Sequence, residues 1–138
     1  MTSRDERDAL GHFEGRYAVP DSAVAAEIEQ HVIGAVWGAN GYTTLEQADE
    51  LARLLALGPG RRLLDVGTGR GWPGLYFAVR YGSVVAGTDM PFDALMAASR
   101  RARAERADHN FSAVAAAGVH QPFPRQTFDA VVHTDVLC

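Results

Sequence analysis

The run Leu63-Leu64-Asp65-Val66-Gly67-Thr68-Gly69-Arg70-Gly71 constrains the fold more than any other stretch of this chain, because it drives a short apolar segment straight into closely spaced glycines. Leucine and valine ahead of a turn suit a buried parallel strand, and glycines let backbone approach a ligand where any Cβ would clash. Past the turn, Pro73 fits the first turn of a helix, where its missing N–H costs nothing. Leu75, Tyr76, Val79 and Arg80 then continue at helical spacing. A second apolar run, Ser83 to Asp89, ends in a carboxylate ~20 residues beyond the glycines, where βαβ units grip a nucleotide ribose. Together these segments predict a nucleotide-binding βαβ unit.

Glycine spacing alone leaves the cofactor class open, since Gly69-Arg70-Gly71-Trp72-Pro73-Gly74 also matches the G-x-G-x-x-G dinucleotide fingerprint. Asp65, inside the strand before the first glycine, tips the balance. The string D-V-G-T-G-R-G resembles the first motif of class I S-adenosylmethionine (SAM)-dependent methyltransferases. Gly87-Thr88-Asp89-Met90 resembles that family's acidic strand end, and Pro122 to Val132 resembles its P-F-x-x-x-x-F-D segment entering the fourth strand. The motifs stand in the family's order and cover the chain from about Leu45 onward.

The resemblance implies SAM as cofactor and assigns roles by position. Gly67, Gly69 and Gly71 would pass under the methionine and ribose parts of SAM, with Thr68 in the same turn and Asp65 shaping the loop. Asp89 would accept from the ribose hydroxyls, and Met90 would pack on adenine. Ala117 stands where the family places an acidic residue for the adenine amino group. His133 and Asp135 follow the fourth strand, where open α/β sheets bind ligands and this family receives its methyl acceptor, so they are the candidate catalytic pair. The implied fold is α/β, a Rossmann-like doubly wound parallel sheet truncated after its fourth strand. Ending there would bare an apolar strand edge. The expectation is a fragment, the product of an interrupted gene, or one part of a homo-oligomer or partner complex that completes its sheet with another chain.

Composition narrows the surroundings. The 138 residues carry a formal net charge of −4, and every basic residue is arginine, without the basic stripe that nucleic-acid binding needs. No apolar run is long enough for a bilayer, and the charged stretch from Arg4 to Asp8 lacks the apolar core of a secretory signal, so a cytoplasmic protein away from the membrane is expected. The single cysteine, Cys138, excludes an internal disulfide, and His12, His31, His109 and His120 show no metal-ligand spacing.

The chain divides into residues 1–42, a polar arm and accessory helix, and residues 43–138, the nucleotide-binding domain. Phe13 and Tyr17 are the residues that would dock the arm. From Asp21 or Ser22 as N-cap, Val24, Ile28, Val32, Ile33 and Val36 form an apolar helical face that ends near Gly38 to Gly41. Thr43 with Glu46 reads as a capping box for a second helix, whose Leu45, Ala48, Leu51, Leu54 and Leu55 face the sheet. Pro91 to about Ala107 is a third sheet-covering helix, with Leu95 and the alanines inward and Arg100, Arg101, Arg103 and Arg106 solvated. Phe111 to Ala116 is the third strand.

Each site residue has a structural alternative. The glycine turn serves strand–helix packing, Asp89 a helix N-cap, Asp65 a buried acceptor, and Trp37, Tyr42 and Trp72 either the core or a substrate lid. Asp129 reads as structural. Three functions fit: a SAM-dependent methyltransferase acting on a small-molecule acceptor, a non-catalytic SAM-fold remnant or binding module, and a nicotinamide-dependent oxidoreductase.

Overall fold

A computed structural model describes residues 22–39 and 41–135, with residues 4, 7, 8, 11, 12 and 15 of the preceding segment. Phe13, Tyr17, Asp21 and Cys138 lie outside the described residues. Four strands, β1 (Arg62–Val66), β2 (Val84–Asp89), β3 (Phe111–Ala115) and β4 (Ala130–Val132), form a parallel sheet in the order β3-β2-β1-β4. Leu63 pairs with Val85 on one side and Ala130 on the other, and Val85 pairs with Phe111. The order reverses at β1, and a ligand crevice belongs at the carboxyl ends of strands around such a switch point.

Helices α1 (Ala23–Ile33), α2 (Leu45–Leu54), α3 (Gly74–Tyr81) and α4 (Phe92–Ala104) complete the described elements. Ala48, Ala52, Leu75, Phe77, Ala98 and Ala102 join Leu63, Val85, Phe111 and Val132 in one core. Right-handed crossovers that step the same way along a sheet put α3 and α4 on the same face. The connection from β3 to β4 carries no helix. On the face opposite Leu63, Val84 and Val131 are exposed.

Three helix faces differ from the periodicity reading. Only Ile33 of α1 is buried; Val24, Ile28, Val32 and, beyond the helix, Val36 are exposed. The inward side of α1 is held instead by Glu29, whose Oε1 accepts from the amides of Trp37 at 2.6 Å and Ala39 at 2.9 Å, and that side lies opposite the valine stripe. In α2 the buried pair is Ala48 and Ala52, with Leu45, Leu51 and Leu55 beside them, while Leu54 points away and is 64% exposed. The capping box also sits one residue later than expected: Thr44 Oγ1 accepts from Gln47 N, and Gln47 Oε1 accepts from Thr44 N. Pro73 is the N-cap of α3 rather than part of its first turn. In α4 the inward residues are Ala94, Leu95, Ala98 and Ala102 as expected, but Arg101 is half-buried beside Gly38.

The glycine turn and its acidic partners

Asp65 organises the turn from beneath. It is completely buried, and its Oδ2 accepts from the Thr68 hydroxyl at 2.7 Å and from the Gly74 amide at 3.0 Å. One oxygen therefore ties the end of β1 to the middle of the turn and the start of α3. Burial pushes this carboxyl up to about 7, against the lowering effect of those two donors, with the charge of Asp89 adding to the rise. Its Oδ1 has no partner among the described residues. Asp65 and Thr68 thus act on the loop from inside, and both are closed to solvent.

The turn itself is shaped by backbone. Gly67 and Thr68 both donate to the Thr88 carbonyl, at 2.7 and 3.0 Å, which seats the turn against β2. Gly69 and Gly71 have φ of 54° and 103°, a left-handed region where a side chain would be strained. A Cβ at Gly74 would overlap the Asp65 carboxylate, so the helix start needs glycine for space alone.

Asp89, at the end of β2, reaches across to the turn. Its Oδ2 accepts from Gly69 N at 2.8 Å and its Oδ1 from Met90 N at 2.8 Å. Burial raises this carboxyl above its ordinary value, while the Met90 and Gly69 amides hold it down. Each carboxylate oxygen has a second lone pair, so two acceptor positions beside the turn stay available to hydroxyl donors. Asp65, Gly67, Thr68, Gly69, Gly71, Asp89 and Met90 are thereby gathered around one turn.

Ala117 lies just beyond β3, where its carbonyl accepts from His120 N at 2.9 Å and from Gln121 Nε2 at 3.0 Å. Gln121 was not legible as a site residue, yet its Oε1 is buried without a partner among the described residues. Of the aromatic residues, Trp72 is buried and Trp37 half-buried; both pack on Tyr76, with ring centroids 5.5 and 5.4 Å away, so they belong to the core. Tyr42 is 79% exposed. Asp129 is structural: its Oδ2 accepts from Arg62 N at 2.8 Å at the start of β1.

At the carboxyl end of β4, His133 is exposed, whereas Asp135 is engaged by Tyr42 and Thr43 from the segment before α2. Among the described residues no three His, Cys, Asp or Glu side chains gather as a metal site, and no helix is long and apolar enough to cross a membrane.

Solved structures with this architecture include geranyl diphosphate C-methyltransferase from Streptomyces coelicolor A3(2), bound to Mg2+, geranyl diphosphate and S-adenosylhomocysteine. It shares 20% identity at a TM-score of 0.71, over 96% of this chain and 54% of that one. A geranyl diphosphate methyltransferase with geranyl diphosphate and sinefungin shares 29% identity at a TM-score of 0.60, over 64% of this chain and 33% of that one. A SAM-dependent methyltransferase from Thiobacillus denitrificans with S-adenosylhomocysteine shares 23% identity at a TM-score of 0.52, over 71% and 38%. The chain thus spans about half or less of the length of these solved relatives. The S-adenosylhomocysteine bound in two of them is consistent with SAM as the cofactor. No curated protein matches the chain. Residues 63–138, more than half of the sequence, match the family model described as a methyltransferase domain, and the chain belongs to that family, the class I methyltransferases.

Proposed function

We propose that this chain binds SAM at the Gly67–Gly71 turn and serves methyl transfer to a small-molecule acceptor. The observation that carries the reading is the bond from Gly69 N to Asp89 Oδ2 at 2.8 Å, which joins the glycine turn to the acidic end of β2 in one cradle. The cradle fits the cofactor: its floor is glycine backbone in a conformation closed to side chains, and its acidic wall offers unfilled acceptor positions. When bound, SAM supplies a methyl group already activated by its sulfonium to an acceptor O, N, S or C.

The chain's own residues contribute binding and orientation. In this reading Asp89, anchored by the Gly69 and Met90 amides, would accept from the ribose hydroxyls, and Met90 would pack on adenine. Asp65 keeps α3 and the turn in register from below. Because the leaving group is good without help, positioning is the main demand on the protein, and orientation effects reach about 7–11 kcal/mol in favourable cases. In this reading His133, exposed just beyond β4, would take a proton from an oxygen or nitrogen acceptor. The small-molecule class of acceptor draws support from the geranyl diphosphate methyltransferases of the same architecture.

One observation favours a second reading, a SAM-binding module without transfer: Ala117 offers no carboxylate to the adenine amino group. Isothermal titration with SAM, with Asp89→Ala and with NADH as a competing class separates the readings. Saturable SAM binding that Asp89→Ala weakens by about a hundredfold or more, as loss of two charged hydrogen bonds of about 1.5–3 kcal/mol each implies, supports the cradle. NADH binding in its place would reassign the cofactor. SAM binding without methyl transfer to any of a panel of small O-, N- and S-nucleophiles would favour the binding module.

We also propose that β4, at the sheet edge among the described residues, pairs with a second chain. The exposed Val131 on this three-residue strand supports it.

A further inference from the structure

Asp135 follows β4 at the carboxyl end of the sheet, with its backbone in the left-handed region at φ 57°. Its Oδ2 alone accepts from the Tyr42 amide at 3.0 Å, the Thr43 amide at 3.1 Å and the Thr43 hydroxyl at 2.9 Å. These donors lie more than ninety residues away in sequence, at separations of 92 and 93. Gly41 fits so closely against the carboxylate that a Cβ there would overlap it. The same short segment turns its Thr43 carbonyl to Trp72 Nε1 at 3.0 Å, and Trp72 directly follows the glycine turn. A continuous line of hydrogen bonds therefore runs from the end of β4, through residues 42 and 43, to the edge of the turn.

We propose that Asp135 is a positioning residue, a latch that fixes Gly41–Thr43 to the end of β4 and, through Thr43 and Trp72, sets the glycine turn against the acceptor side of the crevice. The link to the cofactor rests on the reading of that turn as the SAM site. The latch itself does not. A general base must present its oxygen to a substrate proton, whereas the Asp135 oxygen is already surrounded by two backbone amides and a hydroxyl. A latch needs only an acceptor oxygen at that point, and asparagine supplies one while tolerating the left-handed backbone. The role explains why residues more than ninety positions apart meet here, and why glycine stands at position 41.

The test uses the full chain, with 15N spectra in which the Trp72 indole signal is assigned by Trp37→Phe, since the sequence has 2 tryptophans. Asp135→Ala is expected to move the Trp72 indole signal, to speed amide exchange at Tyr42 and Thr43 by about tenfold or more, and to weaken S-adenosylhomocysteine binding by about tenfold. Asp135→Asn is expected to keep the signal in place and the affinity within about threefold. If Asp135→Ala does not fold, Gly41→Ala, which drives a methyl into the carboxylate, must produce the same Trp72 shift. An unmoved Trp72 signal and unchanged amide exchange in these variants overturn the latch. So does methyl transfer lost in Asp135→Asn while its Trp72 signal and affinity stay as in the parent, because that pattern belongs to a base. Failure of the parent chain to bind S-adenosylhomocysteine would instead overturn the cofactor reading, and the indole and amide readouts would still decide the latch.

Discussion

Asp65 couples the fold to pH through a single buried proton. Its folded-state pKa of about 7 lies above the unfolded value of 3.8, so the folded chain holds an extra proton between pH 4 and 7. Stability from this group is therefore full below pH 4 and is lost as pH rises towards 7, by about 4 kcal/mol at most. Asp89, shifted in the same direction, adds to the trend, while Asp49 and Asp129, whose carboxyls are lowered from 3.8, contribute stability that stays constant across this range and is lost only at more acidic pH. Thermal melts of the parent and Asp65→Asn across pH 4.5 to 7.5 isolate the term: the gap between the two must change in favour of the variant as pH rises. A constant gap would show that Asp65 ionises freely in the fold. The sequence made Asp65 visible through its place before the glycines, but not the direction it faces. Only the closing of Thr68 and Gly74 over one of its oxygens turns a cofactor candidate into the inner support of the turn.

Among the elements, those bounded by turns and covered on a known face were the most legible. Strands β1 to β3 and the inward side of α4 follow from apolar runs and alanine spacing, because the sheet offers only one place to bury them. Helix α1 shows the limit of periodicity. Its valine stripe is real, but a hydrophobic face says that something apolar covers it and not which element does so. Ile28→Gln should therefore change stability by no more than about 0.5 kcal/mol in a denaturant titration, as for other exposed positions. Thr44→Ala breaks the capping box and should cost about 1 kcal/mol, whereas Thr43→Ala should leave the helix cap intact. Because Thr43→Ala also removes the hydroxyl bond to Asp135, amide exchange at Gln47 reads the cap: it should speed up in Thr44→Ala and not in Thr43→Ala, and the opposite result would restore the box to Thr43 and Glu46. The slip of one residue arose because Thr43 and Thr44 each have an acidic or amide side chain three positions on, and local spacing does not choose between them.

For the molecule as a whole, contacts between distant segments were the part hidden from the sequence. The Asp135 bonds to residues 42 and 43, and the aromatic cluster of Trp37, Trp72 and Tyr76, depend on the sheet order bringing separate stretches together. The cradle itself was readable because its parts lie within a single βαβ unit, about thirty residues at most in such motifs. At this scale the position of β4 at the sheet edge among the described residues makes a prediction. Light scattering should give a mass above that of one chain at micromolar concentration, and Val131→Lys should lower it, since an edge lysine discourages strand pairing. A single-chain mass for the parent, with no binding of a hydrophobic dye, would remove the case for a partner.

Asp49 supplies a further consequence, because its Oδ1 accepts from the hydroxyls of both Tyr76 at 2.5 Å and Tyr81 at 2.6 Å and so clamps α2 to α3. Both phenols are raised, Tyr76 chiefly by burial and Tyr81 chiefly by the bond to Asp49. In an alkaline titration followed by phenolate absorbance, these two of the chain's 4 tyrosines ionise late. The delayed part of that colour change is an optical signal of α2 parting from α3, readable without any label or ligand.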